Sequence, residues 1–373
     1  MNVFTEQQEN CMETLPEGTP EEVAAPRERE VQYEHSADLP GLLGELGVTL
    51  LVSTYQAGKV AAIGTHQDRL DISFHNFDRP MGLAIDAKND QIAIAGKTEI
   101  CLMRNARDVA AQLSSETTCD ACFLARSSHV TGEIQSHEIS WAANGELWIV
   151  NTLFSCLCTL DERHSFVPRW QPPFISELAA EDRCHLNGLA MHNGVPKYVT
   201  AMAESDTAGG WRPTKGETGC LIDVASRQTV VQGFSMPHSP RIHNDQVWVL
   251  DSGRGAFVKI DPGHGKMETV ARFPGYTRGM AMFGKYACIG LSRIRETSTF
   301  GGVPIAEHRD RLKCGVVLVD LEQGSLVGQF EFKTGVEEIF DVSVIPNCRS
   351  AAIRGPFAHR DGYNTVWVVP QRS

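Results

Sequence analysis

The sequence lacks the features that mark membrane-spanning and exported proteins. It contains no run of about 18 consecutive apolar residues, so no membrane-spanning helix is predicted. Its first thirty or so residues are acidic and polar, without a basic segment followed by an apolar core, so no export signal is predicted. We therefore expect a cytoplasmic protein without a membrane partner.

Positively charged residues are fewer than negatively charged residues. Lys and Arg number 34 against 46 Asp and Glu, which gives a formal net charge of −12 at pH 7. A chain with this balance repels polyanions, so no nucleic-acid partner is predicted.

Several common functional motifs are missing as well. The sequence has no Gly-x-Ser-x-Gly elbow and no dinucleotide-binding glycine pattern after a strand, and the Gly58-Lys59 pair lacks the glycine-rich run of a P-loop. Cys119 and Cys122 form one Cys-x-x-Cys pair, but the second pair that a zinc ribbon needs is absent. We expect the cysteines to be small buried apolar residues in a reducing compartment.

Long helical periodicity is rare too, and what recurs instead is one strand-like element. Runs such as Asn187-Gly-Leu-Ala-Met and Arg278-Gly-Met-Ala-Met can be aligned six times at intervals of roughly 40 to 60 residues, each followed by a turn and further apolar strands. The leading residues of the six copies are Met81, His137, Asn187, His238, Arg278 and Asp341. This repeat predicts an all-β, six-bladed β-propeller with four-stranded antiparallel blades.

The ends of the chain are predicted to close the ring. The last copy has two strands, the second at 365–369, and the early strands 49–53 and 59–63 would complete its blade, which removes an open sheet edge. Residues 1–35 are predicted to be a disordered acidic leader, and residues 36–373 a single propeller domain. A β-sandwich with a second domain is the alternative architecture.

In a propeller the six leading positions meet at one end of the central channel. His137, His185 and His238 with Asp341 or Glu338 would then form the donor set of a divalent transition-metal site, for Fe, Cu, Mn or Zn. The alternative is that these histidines donate hydrogen bonds to buried backbone groups and support the channel.

Further polar and aromatic residues near these positions are predicted to bind the substrate. Arginines could hold a carboxylate or phosphate group, and the aromatic side chains of Trp141, Trp211, Tyr276 and Phe154 could wall a pocket. The predicted substrate-binding residues are Arg79, Asn187, Arg241, Arg278, Trp141 and Tyr276. As an alternative, the arginines pair with Glu138, Glu337 and Glu338, and the aromatic residues belong to the core.

Several long motifs resemble a bacterial conserved family of unknown function. They are Asn151-Thr-Leu-Phe-Ser-Cys-Leu, Glu181-Asp-Arg-Cys-His-Leu-Asn-Gly-Leu-Ala, Met236-Pro-His-Ser-Pro-Arg, Pro274-Gly-Tyr-Thr-Arg-Gly and Glu338-Ile-Phe-Asp-Val. More distantly, the layout is similar to gluconolactonase and strictosidine-synthase propellers. The lactonases hold a divalent cation on Glu, Asn, Asn and Asp; Asn187 and Asp341 match two of these positions, whereas His137 and His238 depart from them and favour a softer metal.

Three functions follow from these observations. The first is a metal-dependent enzyme that acts on a small molecule or peptide with an anionic group, with oxidative chemistry of the hydroxylation type favoured. The second is metal-dependent hydrolysis of a lactone or ester. The third is a non-catalytic propeller that binds a partner.

Overall fold

The computed structural model describes residues 30–110, 119–294, 301–364 and 366–369. Within these ranges the strands form six antiparallel four-stranded sheets. The innermost strand of each sheet contacts the innermost strands of the two neighbouring sheets, so the sheets close into a ring. The predicted six-bladed propeller is confirmed.

The blades are numbered from the first complete copy, and each is given from its innermost to its outermost strand. Blade 1 contains Leu83–Asp86, Gln91–Ala95, Glu99–Asn105 and Ala121–Val130. Blade 2 contains Ser136–Trp141, Leu147–Asn151, Cys156–Thr159 and Val167–Trp170. Blade 3 contains Leu186–His192, Val195–Ala201, Gly219–Asp223 and Thr229–Phe234. Blade 4 contains Pro237–His243, Gln246–Asp251, Ala256–Asp261 and Lys266–Arg272. Blade 5 contains Tyr276–Phe283, Tyr286–Ser292, Cys314–Asp320 and Ser325–Phe332. Blade 6 contains Asp341–Pro346, Val48–Ser53, Lys59–His66 and Arg69–Asn76.

Burial along the strands explains why the repeat can be recognised in the sequence. The middle strands Val48–Ser53 and Cys314–Asp320 are buried along their whole length, because each blade packs between two others. The outer strand Lys266–Arg272 is largely exposed, because no sheet covers it. Continuous apolar runs for the middle strands and polar outer strands are the pattern expected for sheets buried on both faces.

Blade 6 is closed by both ends of the described chain. Its innermost strand Asp341–Pro346 pairs antiparallel with Val48–Ser53, from Ser53 opposite Asp341 to Val48 opposite Pro346. The predicted closure is therefore confirmed, but the division differs: the C-terminal part supplies one strand and the N-terminal part three. The predicted strand at 365–369 is wrong for its described residues, since 366–369 form no strand and Trp367 is 79 % exposed.

Two short strands extend the two blades that flank blade 6. Ala351–Arg354 pairs in parallel with the outer strand of blade 1, and Tyr33–His35 pairs antiparallel with the outer strand of blade 5. The second strand lies inside the predicted leader, so ordered structure begins before residue 35; residues 1–29 of the leader lie outside the described residues.

Helical segments are few and short. The helix Leu39–Leu46, which the sequence analysis did not predict, places Leu39 and Leu43 one turn apart in the core of blades 5 and 6. The remaining segments are an α-helix at Arg107–Ala110 and 3₁₀ helices at Tyr55–Ala57, Ser252–Arg254, Pro304–Arg311 and Ala358–Asp361. No helix in the described parts of the chain is long and apolar enough to cross a bilayer.

Candidate functional site

Three histidines come together where the innermost strands of blades 2, 3 and 4 begin. The rings of His137 and His185 meet edge to face with their centroids 4.8 Å apart, and His137 also lies 5.1 Å from the ring of Phe340. His238 and Arg278 lie close enough to His137 to lower its pKa by electrostatic repulsion. We call the group formed by His137, His185, His238, Arg278 and Phe340 the histidine mouth.

Tight turns before the strands orient two of these imidazoles. Gln135 and Met236 each stand two residues before a mouth histidine, and both have left-handed backbone conformations, with φ of 55° and 54°. Their carbonyl oxygens lie 3.1 Å from Nδ1 of His137 and 3.0 Å from Nδ1 of His238. Because a carbonyl only accepts, Nδ1 must donate in both rings.

His185 is held by a carboxylate instead. Its Nδ1 lies 2.9 Å and 3.0 Å from the two carboxylate oxygens of Asp182. The indole N–H of Trp211 donates to the same carboxylate over 3.0 Å, and the Trp211 ring lies 4.3 Å from the His185 ring. Asp182 is therefore fixed between its two donors, and it in turn fixes the His185 ring.

The three rings share one property that matters for chemistry. Nδ1 is the donor in each, and Nε2 has no hydrogen-bond partner among the described residues. Burial, followed by repulsion from nearby cationic side chains, lowers the pKa of His137 and of His238 well below the usual value. Both rings are neutral at pH 7, so each presents an Nε2 lone pair that can accept a proton or bind a ligand.

Arg278 is the cation of the histidine mouth. Its guanidinium carbon stacks 3.3 Å from the ring centroid of Phe340, and its Nη1 lies 3.4 Å from a carboxylate oxygen of Glu338. Burial lowers the pKa of Arg278, and Glu338 opposes that shift. The phenol of Tyr276 lies 3.4 Å from Nδ1 of His238, and burial raises its pKa. Arg278 and Tyr276 thus lie beside the histidines, and Glu338 lies beside Arg278.

Asp341 and Asn187 hold the blades together at this end. Asp341 is buried, and its two carboxylate oxygens accept the N–H groups of Leu83 in blade 1 and of its own neighbour Val342. The Asn187 amide donates to the Pro237 carbonyl of blade 4 and accepts from the Thr200 hydroxyl. The hydrogen bonds of Asp341 therefore link blade 6 to blade 1, and those of Asn187 link blade 3 to blade 4.

The other predicted substrate-binding residues lie elsewhere. Arg241 pairs with the buried Glu138, and Trp141 and Arg241 both line a cavity towards the far ends of the innermost strands. Arg79 is half exposed and lies 3.9 Å from Glu133. The three arginines therefore form no common collar. Two of them, Arg241 and Arg278, pair with Glu138 and Glu338, as the alternative interpretation predicted.

The predicted metal-ligand set does not assemble as a whole. No group of three or more His, Cys, Asp or Glu side chains in the described ranges is arranged to hold a metal ion. The two carboxylates of the predicted set have other partners, since Asp341 accepts from backbone N–H groups and Glu338 faces Arg278.

Three residues of the site were not predicted from the sequence. Asp182 lies in the connection between blades 2 and 3, whereas the rings of Phe340 and Tyr55 lie 5.4 Å apart beside Arg278. The signal for Asp182 was the spacing Asp-x-x-His, which recurs at Asp161 and Asp261, where each pair is exposed. Of these three pairs, Asp182 and His185 lie directly before an innermost strand, and this pair lies at the histidine mouth.

Known proteins resemble this chain in fold more than in sequence. A family model described as "Domain of unknown function (DUF4915)" matches residues 37–353. A nidogen/laminin complex structure has a TM-score of 0.51 at 9 % identity and covers 80 % of this chain and 99 % of that one. A protein of unknown function from Bacteroides caccae has a TM-score of 0.50 at 11 % identity and covers 80 % of this chain and 98 % of that one. At these identities the likeness shows the fold alone. A search of curated protein sequences finds no match.

Proposed function

The chain belongs to the DUF4915 family, whose function is unknown, and we propose that its histidine mouth catalyses an acid–base reaction on a small molecule or peptide that carries an anionic group. In this proposal His185 is the general base, Asp182 orients it, and Arg278 binds the anionic group.

The observation that carries this proposal is the Asp182–His185 pair. A carboxylate on Nδ1 holds the imidazole in one tautomer and stabilises the imidazolium that forms when Nε2 accepts a proton. The His185 side chain is 13 % exposed, so Nε2 stays within reach of a bound molecule while the ring remains oriented. Hydrolysis of an ester or lactone and elimination next to a carbonyl both need such a base.

Arg278 supports an anionic substrate group. Its pKa is lowered by burial, so a further negative group beside the guanidinium is favourable. The 3.4 Å contact to Glu338 is long for a charge-assisted hydrogen bond, which leaves donors for a ligand. Phe340 holds the guanidinium plane in place from one side.

A metal-dependent reaction is the second candidate, and the three Nε2 lone pairs favour it. His137, His185 and His238 would hold Zn, Mn, Fe or Cu, and the ion would supply Lewis-acid or oxidative chemistry. The histidines would have to move to converge on one ion, since no such group is preformed in the described residues. Untagged protein equilibrated with each ion and passed over a desalting column would retain about one equivalent, and His137→Ala would abolish retention.

The acid–base proposal is tested by matched variants of two Asp-x-x-His pairs. We expect His185→Gln and Asp182→Asn to lower turnover of carboxylate-bearing lactones and esters by about 10² to 10⁴-fold. The control is His264→Gln, because His264 pairs with Asp261 at the same spacing but is 74 % exposed. Turnover that survives in His185→Gln would contradict the proposal, and stoichiometric ligand binding without turnover would favour a non-catalytic propeller.

A further inference from the structure

A second cavity lies towards the far ends of the innermost strands. Its volume is about 390 Å³, which is within the range of small-molecule sites. All six innermost strands line it, from Leu83 in blade 1 to Pro346 in blade 6. It shares no lining residue with the histidine mouth.

Arg241 supplies the hydrogen-bond donors of this cavity. Its Nε donates to the Met280 carbonyl over 2.8 Å, and its Nη1 donates to Glu138 and to the Pro240 carbonyl. Nη2 has no hydrogen-bond partner among the described residues, and the side chain is 22 % exposed. The guanidinium is therefore held on one side by the protein and presents two N–H groups on the other.

The charges around Arg241 select a neutral ligand group. Glu138 neutralises the guanidinium through direct contact, and Asp341 adds a second carboxyl group close enough to interact with Glu138 and Arg241. A carboxylate ligand would be repelled by Glu138 in a poorly solvated place. An ammonium ligand could not accept from Arg241.

Apolar side chains and polar atoms both line the cavity, and the polar atoms contribute the larger part of its surface. The apolar side chains include Ile85, Leu189, Met191, Met282, Phe283 and Val344. Methionine side chains adapt to ligands of different shapes, because they are unbranched and flexible. A site that places hydrogen-bond donors beside such side chains discriminates between ligands that accept a hydrogen bond and those that do not.

We propose that this cavity is a second ligand site, which binds a small uncharged molecule whose neutral carbonyl group accepts hydrogen bonds from Arg241. The site is independent of the reaction at the histidine mouth.

The proposal is tested with three probes that share an eight-carbon chain. 2-Octanone carries a neutral acceptor, octanoate an anionic acceptor, and octylammonium a cation without acceptors. We expect 2-octanone to bind with a Kd on the order of 1 mM or tighter, and both charged probes at least tenfold more weakly. Ligand-observed NMR and titration calorimetry on the full chain measure these constants.

Variants locate the binding. Met282→Trp fills the cavity and is expected to abolish saturable binding of 2-octanone, whereas Met267→Trp, on the outer strand of blade 4 and 40 % exposed, should leave the Kd unchanged. Arg241→Lys keeps a positive charge beside Glu138 but removes the guanidinium, and it should weaken binding at least fivefold. Circular dichroism confirms that each variant is folded.

Several results would overturn the proposal. They are a folded protein that shows no saturable binding of 2-octanone, tighter binding of either charged probe, and unchanged binding by folded Met282→Trp or Arg241→Lys. His185→Gln should bind 2-octanone like the unmodified protein, so failure at the histidine mouth and failure at this cavity are distinguishable.

Discussion

Asp341→Asn should remove one contribution to the pH dependence of the free energy of unfolding. Asp341 lies where blade 6 meets blade 1, and it is 3 % exposed. Burial, followed by repulsion from Glu138, raises the pKa of its carboxyl group from 3.8 to about 7. The folded protein therefore binds a proton there at pH values at which the unfolded chain has released it.

The sign and size of the effect follow from these two pKa values. Between pH 3.8 and 7 the native state holds one proton more than the unfolded state at this residue, so the free energy of unfolding falls as pH rises. At about 1.4 kcal/mol per pH unit, the contribution of Asp341 declines by about 4 kcal/mol and then stays constant above pH 7. Asparagine does not ionise, and it still accepts from Leu83, so it loses about one hydrogen bond, or roughly 1 kcal/mol.

Urea unfolding of both proteins between pH 5 and 8.5 measures the difference. The free energy of unfolding of Asp341→Asn, relative to the unmodified protein, should rise by about 2 kcal/mol from pH 5 to pH 7 and level off by about pH 8. Asp245→Asn, at a site whose side chain is 98 % exposed, is the control and should show no such trend. Parallel curves for Asp341→Asn and the unmodified protein would refute the assignment of a protonated buried carboxyl group.

Other predictions concern contacts between innermost strands. Gly279→Ala should destabilise the protein by about 3 kcal/mol or more, because Gly279 has φ of 78° and an added Cβ would lie 2.6 Å from the Cα of Asp341. Gly284→Ala, with φ of 58° and no atom within 4 Å of the added Cβ, should cost only about 1 kcal/mol, so equal losses in urea unfolding would contradict the steric explanation. Asn187→Ala should cost about 2 to 3 kcal/mol, because it leaves the Pro237 carbonyl and the Thr200 hydroxyl without their partner, and a loss below 0.5 kcal/mol would show that the amide does not join blades 3 and 4.

The repeat in the sequence predicted the ring because each copy marks an innermost strand. Met81, His137, Asn187, His238, Arg278 and Asp341 all lie within two residues of the start of such a strand. The alignment therefore brought His137 and His238 to one end of the channel. His185 lies one residue before its strand, in a left-handed conformation with φ of 50°.

The repeat did not predict which side chains surround these residues. Asp182 belongs to the loop between blades 2 and 3, where no periodicity fixes the position of a side chain. Arg241 stands three residues after His238, and a register shift in blade 4 lies between them. Spacing alone therefore grouped Arg241 with the histidines, although it contacts Glu138 deeper in the channel.

That deeper contact joins several blades. Glu138 of blade 2 accepts from the backbone N–H of Leu189 in blade 3 and from Arg241 in blade 4, so one carboxylate joins three blades. Breaking such a buried pair would leave a charge without its partner, at a cost of about 3 to 5 kcal/mol. We therefore expect a ligand at the Arg241 cavity to enter and leave through the far end of the channel. Binding of 2-octanone should accordingly keep the same rate when the histidine mouth is occupied, and a slower rate in that state would show that the ligand passes through the Glu138–Arg241 contact.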